Sequence, residues 1–177
     1  MSDVIQVRGL DVPVGSHEGR FVVVGADHRG FAYKERVKEW LGDNGYRFTD
    51  VGTYSLDRCD YPTFSSEIGR LVSADHLNTV GMGICGSGIG IIIPAFNYRG
   101  VYGATCLNPE MAETSRKHNN TNLLGIGADH MDEWTMLETV TSWLDTPFYS
   151  DPETEQVYLD RYLQTIRHDT REQGKLI

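Results

Sequence analysis

Thr79-Val80-Gly81-Met82-Gly83-Ile84-Cys85-Gly86-Ser87-Gly88-Ile89-Gly90 joins a short apolar run to a glycine-rich turn carrying a thiol and a hydroxyl two residues apart. The run over 79–84 predicts a buried strand, and the apolar residues 89–96 that follow predict the start of a buried helix. A thiolate can take a proton from carbon, and glycines let backbone N–H groups converge on the oxyanion that results.

Outward from this segment, strand-like and helix-like stretches alternate. Phe21-Val22-Val23-Val24-Gly25 reads as a strand; 29–43 reads as a helix with Phe31, Val37, Trp40 and Leu41 on one side, stopped by Asn44-Gly45. Strands follow at 48–51, 101–105 and 123–127, with helices at 65–74, 109–118 and 134–144. Helices between short apolar strands imply a parallel sheet covered on both faces, because parallel strands need long crossovers. The class is α/β, a doubly wound, three-layer sheet of about five strands. Residues 1–20 form an N-terminal extension, arm or edge strand, and 21–149 the α/β domain. Residues 150–177 form a C-terminal segment whose helix, with Val157, Leu159, Tyr162, Leu163 and Ile166 as its apolar positions, is expected to pack on a partner subunit.

The bulk properties narrow the partners. At 177 residues and 40% hydrophobic, the chain fills one domain rather than two. A formal net charge of -9 argues against nucleic acid and anionic membrane surfaces, which call for clustered Lys and Arg. No run approaches the roughly 20 apolar residues of a membrane helix. Met1 to Arg20 mixes Asp3, Arg8, Asp11, His17 and Glu18 with short apolar pieces, unlike a secretory leader. Three cysteines without metal-type spacing fit a reduced cytoplasm rather than a disulfide framework. A small molecule is the expected partner.

In an open parallel sheet, ligands bind beyond the carboxyl ends of the strands. Asp27-His28 follows the first main strand, Cys85-Gly86-Ser87 the third, and Cys106 to Asn108 the fourth; His118-Asn119-Asn120 ends the next helix, and together they suggest one cleft. Cys59 and Cys106 read as small buried hydrophobes. Cys85 differs, because amides at a glycine-rich helix start favour a thiolate. The G-x-G-x-x-G match at 81–86 begins inside the strand and lacks the ribose-holding acid about 20 positions on, so it does not mark a dinucleotide site. Cys85 also occupies the first glycine of a G-x-S-x-G elbow, which makes Ser87 a donor rather than a hydrolase nucleophile. His118 also suits a helix C-terminus and Asp27 an N-cap. Two Asp-His pairs, 27–28 and 129–130, have no third ligand at a telling spacing, and no metal is expected.

Gly25-Ala26-Asp27-His28-Arg29-Gly30-Phe31, Asp50-Val51-Gly52-Thr53, Asp60-Tyr61-Pro62, Ile84 to Gly90 and Ser115-Arg116-Lys117-His118-Asn119-Asn120-Thr121-Asn122 occur in this order. With them the chain resembles the ribose-5-phosphate isomerase type B and galactose-6-phosphate isomerase family over Arg20 to Ile166. The resemblance implies a Rossmann-like sheet, no organic cofactor and no metal. It also implies a homodimer or dimer of dimers with clefts built from both subunits, and aldose-ketose interconversion through a cis-enediolate. By position, Cys85 would shuttle the proton between C1 and C2. His118 and Asp27 would open the sugar ring, and Ser87 would stand beside the carbonyl chemistry. The backbone of Gly86, Gly88 and Gly90 and the side chain of Asn119 would hold the enediolate, with His28 and Tyr61 on the substrate.

The chain departs from this pattern at the far end of the substrate. The family's phosphate-holding arginines fall here at Asp129, Pro152 and Gln156, and Ala-Asn-Lys after the loop helix becomes Ala95-Phe96-Asn97. Asp129, Glu153 and Glu155 would repel a phosphate dianion. The expected substrate is therefore a non-phosphorylated sugar or derivative, with Asp129 at its far end. The alternatives are a sugar phosphate held by Arg29, Arg99 or Arg116 instead, and a sugar-binding protein without turnover.

Overall fold

A computed structural model describes residues 4–172, with side chains through 167; residues 1–3 and 173–177, the outermost parts of the two flanking segments, lie outside the described residues. Five parallel strands make the central sheet: β3 (Phe21–Ala26), β4 (Phe48–Asp50), β5 (Thr79–Cys85), β6 (Gly103–Thr105) and β7 (Leu123–Gly127). Their spatial order is β4-β3-β5-β7-β6. Because β3 connects outward to β4 and then back across to β5, the chain reverses direction between β3 and β5. In open α/β sheets ligands bind at such a switch point, beyond the carboxyl ends of the two strands.

Alternation along β3 assigns the layers. Val22, Val24 and Ala26 face a core with α1 (Phe31–Asp43) and α4 (Glu133–Asp145), through Val37, Leu41, Met136, Val140 and Trp143. Val23 faces the opposite core, against Ile68 and Val72 of α2 (Pro62–Ala74) and Ile91, Ile92 and Ala95. Completing the first layer, α3 (Pro109–Asn119) is started by Asn108, whose side chain accepts from the Met111 amide at 2.8 Å, and is ended by Asn120 at φ 51°. Gly30 lets α1 begin against β5, since a Cβ there would sit 2.3 Å from the Ile84 carbonyl oxygen.

One expected element is absent. Residues 89–96 do not begin a buried α-helix; they form two 3-10 turns, Gly90–Ile92 and Pro94–Asn97. Ile91, Ile92 and Ala95 go inward, while Ile89, Ile93 and Phe96 are about half exposed. Pro94 lacks the N–H that would continue the first turn.

Outside the main sheet, β1 (Val4–Val7) and β2 (Leu10–Pro13) of the N-terminal arm form an antiparallel hairpin. Its two-residue turn, Arg8-Gly9, has positive φ at both positions, the geometry that matches strand twist. The final helix, α5 (Pro152–Glu172), presents Leu159, Tyr162 and Leu163 to Val12, Val14 and Phe148 of its own chain; Val157 faces outward.

A buried cation binds arm and domain together. Arg116 is fully buried and donates to the carbonyls of Gly15, Thr121 and Thr146 and to Asn120 Oδ1, at 2.8–3.3 Å. Burial, with Arg20 nearby, lowers its pKa to about 9, so it remains a cation at neutral pH. Asn120 Nδ2 in turn donates to the Pro13 carbonyl at 2.8 Å. An Arg116→Met substitution is expected to cost about 3 kcal/mol or more, because four buried acceptors lose their donor. Denaturant unfolding at pH 7 measures this, and a loss below about 1 kcal/mol contradicts the assignment.

His17 lies in the same region, its ring 4.4 Å from that of Trp143 and its Nε2 donating to the Thr121 carbonyl at 3.0 Å. Burial first, then the Arg116 and Arg20 charges, hold its pKa well below 6.5. The unfolded chain therefore protonates first as pH falls. Stability is expected to decline below about pH 6.5 with a slope approaching about 1.4 kcal/mol per unit. His17→Gln should flatten that slope in unfolding curves between pH 7.5 and 5; an unchanged slope sinks the idea.

Candidate active site

Cys85 is the last residue of β5, at the switch point between β3 and β5, and is only 4% exposed. Its Sγ accepts the Gly88 N–H at 3.2 Å. That amide is aimed by packing: Gly88 has φ +73°, and a Cβ on it would meet the Gly127 nitrogen and Ile126 carbonyl carbon of β7 at 2.7 Å. Thr105 Oγ1, at the end of β6, donates to the Gly88 carbonyl at 2.8 Å and locks the turn from the other side. The helix macrodipole expected here is missing, since no α-helix follows. A single directed amide takes its place.

Asp27 follows β3 and lies beside the same strand end, its amide donating to the Ile84 carbonyl at 3.1 Å. Buried to 6% exposure, its Oδ1 accepts the Arg29 and Gly30 amides at 2.9 and 3.1 Å, so it caps the approach to α1. His28 uses Nδ1 against the Cys59 backbone, 2.9 Å from its carbonyl oxygen, which leaves Nε2 for a ligand. The Tyr61 ring packs on Gly90, where a Cβ would sit 2.8 Å from the ring. Ser87 Oγ accepts the Ile89 amide at 3.2 Å and keeps its own proton to donate. These residues, with Gly86, share one site.

Asp129 joins them from β7. The Ala128 amide donates to the Cys85 carbonyl at 2.9 Å and the Asp129 amide to the Gly86 carbonyl at 3.0 Å, extending the sheet ladder past the strand. Its carboxylate binds Arg29, Nε at 3.0 Å and Nη2 at 2.5 Å. The other two cations considered for the far end lie elsewhere. Arg116 is buried under the arm, and Arg99 lines a separate cavity with Leu10, Asp11 and His76.

His118 and Asn119 do not meet Cys85 within the chain. They end α3, which runs back from the carboxyl edge of the sheet for 11 residues, or roughly 16 Å. The one cleft suggested by sequence is therefore divided: strand-end residues sit at one edge, and the helix-end pair at the other. The His118 ring stacks on Tyr158 of α5, with centroids 4.1 Å apart. His118 and Asn119 line a cavity of about 520 Å³ together with Phe96, Tyr102, Arg161 and Tyr162.

Sequence reasoning missed Thr105 and Arg161, and it named Gly88 without its wedge against β7. Thr105 and the seating of Gly88 depend on strands distant in the chain, and no local pattern marks them. Arg161 falls outside the short motifs that carry the resemblance. Of the other cysteines, Cys106 is a buried core residue whose thiol burial pushes up to about 11, and Cys59 contributes backbone to His28. Among the described residues no three His, Cys, Asp or Glu side chains gather as a metal site.

Comparison with known proteins places this geometry. The pattern of the Ribose/Galactose Isomerase family matches residues 22–159. Ribose-5-phosphate isomerase B of Escherichia coli K12 is 33% identical over 127 residues, 72% of this chain and 85% of that one. The 4-deoxy-4-sulfo-D-erythrose isomerase of Clostridium sp. MSTE9 is 34% identical over 60% of this chain and 67% of its own length. The ribose 5-phosphate isomerase of Thermotoga maritima superposes with a TM-score of 0.74 at 31% identity, over 85% of this chain and 97% of that one. With the family pattern spanning the whole central sheet, the chain belongs to the ribose/galactose isomerase family of sugar isomerases.

Proposed function

We propose that the protein interconverts an aldose and a ketose through a cis-enediolate, with Cys85 as the base. The observation that carries this reading is the Cys85 sulfur, held by the Gly88 amide at the switch-point crevice beside Asp27. The thiolate takes the proton from C2 of the aldose and returns it to C1, while the hydroxyl proton passes from O2 to O1. Ser87 donates toward the reacting oxygens, and the turn 86–90 supplies backbone dipoles where negative charge develops. A pure sugar-binding protein has no use for a sulfur positioned in this way.

Ring opening needs an acid and a base of its own, the role given to His118 with Asp27. Since His118 and Asn119 lie at the opposite sheet edge, they serve the crevice of a second copy. The exposed apolar residues Ile89, Ile93 and Phe96 support a two-fold dimer. They run from the cysteine turn toward the His118 cavity, which Phe96 also lines. An isologous interface over this strip covers both half-sites at once. Within this reading α5 stands beside the shared site, through Tyr158 and Arg161.

The substrate is a non-phosphorylated sugar or derivative. A phosphate held by this crevice would meet Asp129, with Arg29 already bound to it, and Arg116 and Arg99 are committed elsewhere. Two relatives are named for a phosphorylated and a sulfonated sugar, so members of this family differ at that end of the molecule.

Cys85→Ala is expected to lower isomerisation at least ~1,000-fold, the upper range for a lost acid-base group. Solvent deuterium incorporation at C2, followed by NMR, reads the proton transfer directly; exchange at the parent rate removes Cys85 as the base. For the dimer, Cys85→Ser and His118→Ala chains, each inactive, are mixed and allowed to exchange subunits. About one quarter of parent activity should return, because half the dimers are mixed and each has one intact site. No recovery with subunit exchange demonstrated argues that each site is built from one chain.

A further inference from the structure

Arg29 and Asp129 are 100 residues apart, yet their side chains lie together on the turn that holds Cys85. A Cβ on Gly86 would come within 2.6 Å of both Arg29 Nε and Asp129 Oδ2, so the pair rests directly on that residue. The Asp129 backbone is pinned by its bond to the Gly86 carbonyl, and the Arg29 backbone by its bond to Asp27 Oδ1. Their position relative to the reacting end of a substrate is thus set by the ladder and the turn.

We infer that the Arg29–Asp129 pair is the specificity determinant of this site and selects substrates whose far end is an uncharged hydroxyl group. This rests on the isomerase reading above and names the substrate class for it. Both Arg29 donors converge on Oδ2, and Asp129 Oδ1 has no partner among the described residues. A sugar hydroxyl can donate to Oδ1 while a neighbouring hydroxyl accepts from Arg29 Nη1, and neither step breaks the pair. An anionic end that takes Arg29 Nη1 instead meets the unpaired Oδ1 charge of Asp129 beside it, and one that takes more of the guanidinium has to displace Asp129. The pair contributes no net charge, so it attracts no anion at a distance. Discrimination comes from the penalty on the wrong substrate as much as from contacts with the right one.

The test is binding, so that it stands apart from turnover. On the full Cys85→Ser chain, with folding checked by thermal unfolding, calorimetry compares D-ribose with ribose 5-phosphate and D-erythrose with erythrose 4-phosphate. A tetrose with a terminal sulfonate is a fifth probe. The free sugars are expected to bind at least ~10-fold tighter than their phosphorylated or sulfonated counterparts. Adding Asp129→Arg should move the ratio by ~100-fold toward the anions, and Asp129→Asn, which keeps the shape, should weaken discrimination in the same direction. A parent chain that prefers either anion, binds neither member of the pairs, or keeps its ratio in both Asp129 variants overturns the inference. Loss of deuterium exchange in the parent enzyme would instead overturn the isomerase reading and leave these ratios readable.

Discussion

The contact between Gly88 N–H and Cys85 Sγ organises the site, and it exists only because three strands end side by side. β5 brings the sulfur to the crevice, β7 leaves no room for a side chain at position 88, and Thr105 of β6 holds the carbonyl of the same peptide region. Position 88 tolerates glycine alone, both for its positive φ and for the backbone 2.7 Å away. A sheet edge thereby replaces the helix dipole as the source of the directed N–H at the thiol.

Burial matters to the chemistry as much as direction. Cys85 belongs to the core that includes Val23, Ile68, Ile91 and Ile92, so its sulfur meets few waters. A low-dielectric wall on one side and an oriented amide on the other is an arrangement in which small charge displacements are stabilised without reorganising solvent. The same packing turns Ile89 and Ile93 outward, leaving an apolar strip between the cysteine turn and the edge of the molecule.

At the other edge of the sheet, Arg116 has a comparable structural role. Its four oxygen acceptors come from the arm, the α3–β7 turn and the end of α4, and this fixes the turn at Asn120 immediately after His118 and Asn119. The motif Ser115 to Asn122 therefore contains two functions in adjacent residues: a buried scaffold through Arg116 and Asn120, and an outward pair through His118 and Asn119. Tyr158 of α5 stacks on His118, tying the C-terminal helix to that pair.

Strand and helix alternation, the all-parallel sheet and the layers were legible in the sequence, because periodicity and capping residues such as Asn108 act over a few positions. So was the adjacency of Asp27 to the end of β5, since a parallel sheet places strand ends on one edge by construction. The segment 89–96 was not, because an apolar run does not distinguish a helix from tight turns. Outside 89–96, local order was settled by sequence alone. The separation of His118 from Cys85, the seating of Gly88 and the capture of Arg29 by Asp129 were decided by tertiary structure, because each depends on distances between residues far apart in the chain.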